Sequence, residues 1–465
     1  MRELSDHYEE EYLYLADVTH DAALIAWGKF FFNSKMKLIK DKKIHMLEGE
    51  HGRHTSIGAN CESYGSVAVE VLDASGNVVR SVETEETYAW VSGLSPDTEY
   101  TYRVVAPEAG GTRQWGKGLL HSYDEEIEEL VETDRTYACR FRTFPDPAAH
   151  EGLVFAVLGD SGTGTEDQYN VAQALEKLVS ERGVRLVVMV GDTIYAKSGG
   201  SGDDDFEWLT TYFQPYRSVI DHIPFYPCMG NHDTSEGFLE RLFIGEKQQD
   251  RLALFDNLLV TPRFVSELPP SREASISPGL FYRFRFGADV ELIGFDTSKE
   301  EDLSVRMFEF GRHKQWVEHA LDTPLGAPRW RIPFSHHPPY CKGPMHDEDE
   351  TRLRHDIIPR CKAAGIRTFI SGHEHNFQCI DSPSPNAGVK CFISGGAGGF
   401  RDKRPGKSTD GFMHSWGGND SGHFLIVTIN GAQMTVEPID STGQPLRIFD
   451  VRGSALPSSS ITVER

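Results

Sequence analysis

Leu153-Val154-Phe155-Ala156-Val157-Leu158-Gly159-Asp160-Ser161-Gly162 decides how this chain is read. The unbroken apolar run suits a strand buried on both faces, and the Gly-Asp step after it turns the backbone away from the sheet. Downstream, the spacing predicts a helix over 167–182, with Val171, Leu175 and Leu178 on one stripe. A second buried run at 185–190 ends in Gly191-Asp192-Thr193-Ile194-Tyr195. Further apolar runs follow at 225–229, 290–295, 330–335, 367–371 and 390–394, with helical stretches between several of them. Alternating strands and helices imply an α/β domain with both sheet faces covered, expected over residues 150–450.

Upstream, the texture differs. Ala23 to Trp27, Ser66 to Val71, Tyr100 to Val105 and Ala138 to Phe144 alternate apolar and polar residues. Such period-two runs between Gly, Asn, Asp and Pro imply short antiparallel strands, hence an N-terminal all-β sandwich over residues 10–147. Gly93-Leu94-Ser95-Pro96-Asp97-Thr98-Glu99-Tyr100-Thr101-Tyr102 resembles the turn and strand of a fibronectin type III-like domain. Lys29 to Gly58 and Glu108 to Asp134 fit that pattern poorly. The second stretch carries Glu125, Glu126, Glu128, Glu129 and Glu132 and reads as an inserted loop or helix with a solvated face. Pro145-Asp146-Pro147-Ala148-Ala149 reads as the linker to the α/β part.

The chain has 465 residues and a formal net charge of -23. That balance argues against a general nucleic-acid or anionic-membrane binder. It also sets a problem for any phosphorylated substrate, which local cations would have to solve. No N-terminal apolar segment reads as an export signal and no run suits a membrane span, so a cytoplasmic protein is expected, with secretion the alternative if an export segment is missing. The seven cysteines are scattered without a CxxC pair and read as reduced thiols, although Cys341 could bridge Cys361 in an oxidising compartment. The oligomeric state is open, a homodimer being one possibility.

The ends of the buried runs carry the chemistry. They read Gly159-Asp160, Gly191-Asp192 with Tyr195, Gly230-Asn231-His232-Asp233, Ser335-His336-His337-Pro338 and Gly372-His373-Glu374-His375. Ligands of α/β sheets bind beyond the carboxyl ends of the strands. One such Gly-Asp is usually a turn, and a lone His-x-His is usually a solvated loop. Five strand ends that together deliver carboxylates, an amide, a phenol and imidazoles point to a metal site.

This ordered set resembles the purple acid phosphatases, within the calcineurin-like metallophosphoesterases. His373-Glu374-His375-Asn376-Phe377-Gln378 and Ser394-Gly395-Gly396-Ala397-Gly398-Gly399-Phe400 are similar to the small mammalian-type members, and the preceding sandwich to the larger plant-type ones. The resemblance implies a two-sheet α/β/β/α sandwich with a dimetal centre at the strand ends. It implies that Asp160, Tyr195 and His375 hold one metal, that Asn231, His336 and His373 hold the other, and that Asp192 bridges both. Many relatives place a His two residues after the first Asp; here that position is Gly162, and Tyr195 supplies a replacement. A phenolate favours Fe3+, leaving Fe2+, Zn2+ or Mn2+ for the imidazole-rich position.

The implied reaction is hydrolysis of a small phosphorylated substrate, a phosphomonoester first, by a metal-activated hydroxide. A phosphodiesterase acting on nucleotide or phospholipid-type diesters is the alternative, and a non-catalytic metal-binding scaffold a second one. His232 matches the family's outer histidine. A further outer histidine is expected at 345, where this chain has Met345 followed by His346, so His346 takes that role, with His337 the alternative acid. Arg401, Lys403, Arg404 and Lys407 form a basic cluster after the Gly-rich strand end, with Arg401 and Arg404 the candidates for gripping substrate. Pro333 stands before His336 where the family pattern has no proline, and should sit where no ladder bond is needed.

Overall fold

The computed structural model describes residues 8–32, 36–39, 43–46, 55–56, 65–117, 121–124, 129–132, 136–195, 208–233, 281–297, 309–343, 353–382, 387–399, 412–415 and 421–465. Its N-terminal part is all β. The main strands are β1 (Tyr8–Val18), β2 (Ala22–Phe32), β3 (Val67–Leu72), β4 (Val78–Thr84), β5 (Tyr88–Ser92), β6 (Glu99–Glu108), β7 (Gly111–Gln114) and β8 (Arg140–Arg142). In one sheet β2 lies between β1 and β5; the other runs β7-β6-β3-β4, with β8 also on β6. Alternate residues face inward as the patterning requires: Val67, Val69 and Val71 of β3 are buried, as are Tyr100, Tyr102, Val104 and Ala106 of β6.

The two poorly fitting stretches are β structure where they are described. Met36–Ile39 pairs with Lys43–Met46, and Thr55–Ser56 pairs with β2. The acidic stretch, read as a loop or helix, instead holds an antiparallel ribbon, His121–Asp124 on Glu129–Glu132. Two short segments of four residues satisfy each other's backbone groups in this way, and runs that short leave little hydrophobic period to read. Glu125, Glu126 and Glu128 lie outside the described residues.

The α/β part begins with β9 (Leu153–Leu158), α1 (Glu166–Arg182), β10 (Leu186–Val190), α2 (Gln214–Ile220) and β11 (Phe225–Cys228). It continues through β12 (Phe281–Phe286), β13 (Val290–Phe295), α3 (Glu309–Asp322), β14 (Trp330–Phe334), α4 (Ile358–Ala363) and β15 (Thr368–Ser371). The last strands are β16 (Phe377–Asp381), β17 (Lys390–Ser394), β18 (Phe412–His414), β19 (His423–Asn430), β20 (Gln433–Asp440), β21 (Phe449–Asp450) and β22 (Ile461–Glu464).

They form two mixed sheets, ordered β11-β10-β9-β19-β20-β22 and β12-β13-β14-β15-β17-β16-β18-β21. The strands β9-β10-β11 run parallel in the first sheet, and β13-β14-β15-β17 in the second. The sheets share one core, to which α1 contributes the stripe Val171, Leu175 and Leu178. Trp316, Val317 and Leu321 of α3 and Ile358 and Cys361 of α4 pack with Ile293, Phe295 and Phe369 on the second sheet. The result is helix, sheet, sheet, helix. Pro333 is tolerated inside β14 because the ladder to β15 is one pair, Phe334↔Ile370.

The sandwich docks directly on the α/β part. The Tyr226 hydroxyl donates to Asp17 Oδ1 at 2.7 Å and accepts from Val18 N at 3.2 Å. Tyr102 donates to Asp221 O at 2.6 Å, and Cys139 N donates to Asp221 Oδ2 at 2.9 Å. The linker is fastened too, since Ala288 N donates to Ala149 O at 2.7 Å.

Candidate dimetal site

The carboxyl ends of β9, β10 and β11 face those of β14 and β15, and all seven candidate ligands converge there. Glycines make the approach possible. A Cβ on Gly230 would overlap Asp192 Oδ1, and one on Gly162 would overlap the Thr193 carbonyl. Gly162 therefore has room for no side chain at all. Instead its N–H donates to Asp192 O at 3.1 Å and its carbonyl accepts from Tyr195 N at 2.9 Å. Gly162 and Tyr195 are linked through the backbone: the bare glycine seats the loop that carries the phenol. Three of the five non-glycine residues with positive φ among the described residues are ligand candidates, Asp160 at 56°, Asp192 at 52° and His373 at 72°.

On one side Tyr195 Oη lies 3.1 Å from Asp160 Oδ1 and 2.9 Å from His375 Nε2, and that nitrogen is 3.5 Å from the same carboxylate oxygen. On the other, His336 Nε2 lies 2.8 Å from Asn231 Oδ1, 3.1 Å from His373 Nδ1 and 3.5 Å from Asp192 Oδ1. His336 Nδ1 is 2.9 Å from Val190 O, so that it donates its proton there and turns the Nε2 lone pair inward. One ligand atom each from Asp160, Asp192 and His336 lie within 4.8 Å of one another.

Burial pushes the Asp160 carboxyl well above the usual range, and the neighbouring Asp192 charge adds to it. Burial works against a charge on Asp192 as well, but His336 and His232 outweigh it and hold this carboxyl below the usual range. Asp233 is pushed well up, by burial first and then by Asp192. Burial, followed by Asp160 and Asp192, also drives the Tyr195 phenol well above its usual value. Anionic groups this deeply buried and this close resist sharing their charge. Cations among them would remove the repulsion, and the oxygen-plus-imidazole donor set suits cations, so the residues present fit a metal pair.

The acid candidates separate. His232 is exposed at the rim; its N–H donates to Asp192 Oδ1 at 2.9 Å and its ring centroid lies 4.6 Å from that of Tyr195. His337 is fully buried, its Nδ1 2.9 Å from Thr297 Oγ1. His346, Arg401, Lys403, Arg404 and Lys407 lie outside the described residues. Two contributors carried no assigned role in the sequence. Asp233 accepts from Gly230 N at 2.7 Å and Ile194 N at 3.1 Å, bracing two ligand loops against each other. Thr297 stands just past the end of β13, a strand end whose Asp296-Thr297 step was the available signal.

Residues 153–377 match the calcineurin-like phosphoesterase family. That stretch is just under half of the chain. Together with the similarities that follow, it makes this chain a phosphoric ester hydrolase of the dimetal kind. Over 264 residues it is 25% identical to Purple acid phosphatase 17 of Arabidopsis thaliana, spanning 55% of this chain and 71% of that one. Among solved structures, the fold is similar to that of purple acid phosphatase PPD1 from yellow lupin seeds, at 14% identity and TM-score 0.63, covering 99% of this chain and 75% of that chain. It is also similar to PhoD, at 14% identity and TM-score 0.56, covering 97% and 90%. Both likenesses extend over the sandwich as well as the phosphoesterase domain.

Proposed function

We propose that this phosphoesterase hydrolyses small phosphomonoesters, with Asp160, Tyr195 and His375 around one metal ion, Asn231, His336 and His373 around the other, and Asp192 between them. The observation that carries the reading is the convergence of these seven side chains at five strand ends, with Asp160, Asp192, His336, His373 and His375 buried and Tyr195 and Asn231 half-buried. When bound, the two ions supply Lewis-acid activation of water and neutralise the phosphate charge. The protein's own groups do the rest. Asp233 and the 162–195 backbone pair hold the loops in register. His232, exposed beside Asp192, is the group placed to hand a proton to the departing alkoxide. The monoester preference is supported by the similarity to purple acid phosphatases.

A hard phenolate at Tyr195 suits Fe3+, with Fe2+, Zn2+ or Mn2+ at the second position. The iron-loaded protein is then expected to absorb in the visible, and Tyr195→Phe to lose the band; an iron-loaded wild type without one sinks the assignment. For the substrate, p-nitrophenyl phosphate and bis(p-nitrophenyl) phosphate should be compared by kcat/KM. A monoester preference of about tenfold or more is expected, and parity or a diester preference sinks the monoester reading. A cytoplasmic location is supported by the scattered cysteines, since Cys139, Cys228, Cys361, Cys379 and Cys391 are thiols in the structure.

A further inference from the structure

We infer that His337 is an additional imidazole of the second metal position, beside His336 and His373, and that this position therefore takes a nitrogen-preferring divalent cation such as zinc. The inference rests on the dimetal reading above. One ring nitrogen each from His336, His337 and His373 lie within 4.8 Å of one another. The His337 ring centroid is 4.4 Å from that of His373 and 4.9 Å from that of His336. All three rings are buried, and His337 is wholly so.

Its orientation is fixed from behind. Thr297 Oγ1 accepts from His337 N at 3.0 Å and lies 2.9 Å from His337 Nδ1. With Nδ1–H donated to that hydroxyl, Nε2 keeps the lone pair. Val190 O imposes the same tautomer on His336. A protein group behind each ring that fixes which nitrogen is available is the usual support of a metal-bound histidine.

Two other roles fit less well. A proton donor has to reach the leaving group, and His337 has no exposure, whereas His232 stands at the rim. Mere packing would be better served by an apolar residue than by a third imidazole set against two others. Imidazole suits zinc, iron, copper and nickel, while carboxylate, carbonyl and water suit magnesium and manganese. Each added histidine therefore moves the position away from manganese.

The test is His337→Gln in the full chain, alongside His337→Asn in case the longer side chain disturbs the fold. Zn2+ and Mn2+ affinities are measured by competition with a chromophoric chelator. In parallel, the Co2+-loaded protein is examined by proton NMR for hyperfine-shifted, exchangeable imidazole N–H signals. In the better-folded variant, judged by circular dichroism, Zn2+ affinity at one site is expected to fall about tenfold or more, with Mn2+ changing much less. The Co2+ spectrum is expected to lose one N–H signal. Two ions bound as in the wild type, with zinc affinity within twofold and the signal count unchanged, would overturn the role of His337 alone. A wild type that takes up fewer than two ions would overturn the dimetal reading and this inference together.

Discussion

Single positions in this protein are set by what lies behind them. Gly162 is the clearest. Because a Cβ there would overlap the Thr193 carbonyl, Gly162→Ala is expected to push the 193–195 loop outward and carry the phenol away from Asp160. The cost is expected to be about 1–3 kcal/mol, read by urea denaturation, together with loss of any Tyr195-dependent absorption. His423 sits fully buried at the start of β19, with neither ring nitrogen hydrogen-bonded among the described residues. Burial lowers its pKa from 6.5 to about 3. The unfolded chain therefore binds this proton over a range where the folded chain does not. Stability is complete above pH 6.5 and falls as the pH drops toward 3, by about 1.4 kcal/mol per unit. His423→Leu should flatten that part of a denaturation-versus-pH profile, and an unchanged slope would assign it to other groups. The ligand candidates were legible in sequence because each follows a recognisable strand end. Asp233 and Thr297 were not, because their roles exist only once distant loops meet.

At the scale of elements, the buried strands were the most readable. β9, β10, β13 and β14 are nearly continuous apolar runs, as strands covered on both faces must be. The π-turns Leu209–Phe213 and Leu353–Ile357, which lead into α2 and α4, left no such trace. Their extra residue per turn changes backbone bonding, not hydrophobic period in any window that short. The C-terminus of α3 shows how an element is anchored. Arg331 donates to Leu321 O and Ala320 O, Arg283 donates to Thr323 O, and both guanidiniums reach Glu291, which is wholly buried. Arg331 Nε is 2.6 Å from Glu291 Oε2. Glu291→Gln would leave two buried guanidiniums without their counter-charge. A loss of about 3–5 kcal/mol is expected by chemical denaturation, with α3 losing hydrogen-exchange protection first.

At the scale of the whole molecule, the β-sandwich and the hydrolase part share a buried seam. The linker residues 145–149 signalled a junction in sequence, but nothing in them foretold how tightly the parts would dock. That depends on Tyr226, Asp17, Tyr102 and Asp221, which are remote in the chain. Tyr226→Phe removes the donor to Asp17 and the acceptor for Val18 N while leaving the ring stacked on Phe284. It is expected to cost about 1–3 kcal/mol with turnover unchanged, and a second, separate unfolding transition would reveal the parts uncoupling. The left-handed backbone at Asp160, Asp192 and His373 has a consequence of its own at this scale. Glycine would relieve that conformation at each position, and at the two aspartates it would also remove buried carboxyls that repel each other without cations. A variant library selected only for heat resistance in chelator would then drift toward glycine or other uncharged residues at positions 160 and 192. Its hardiest members would be inert, so thermostability and turnover have to be screened side by side.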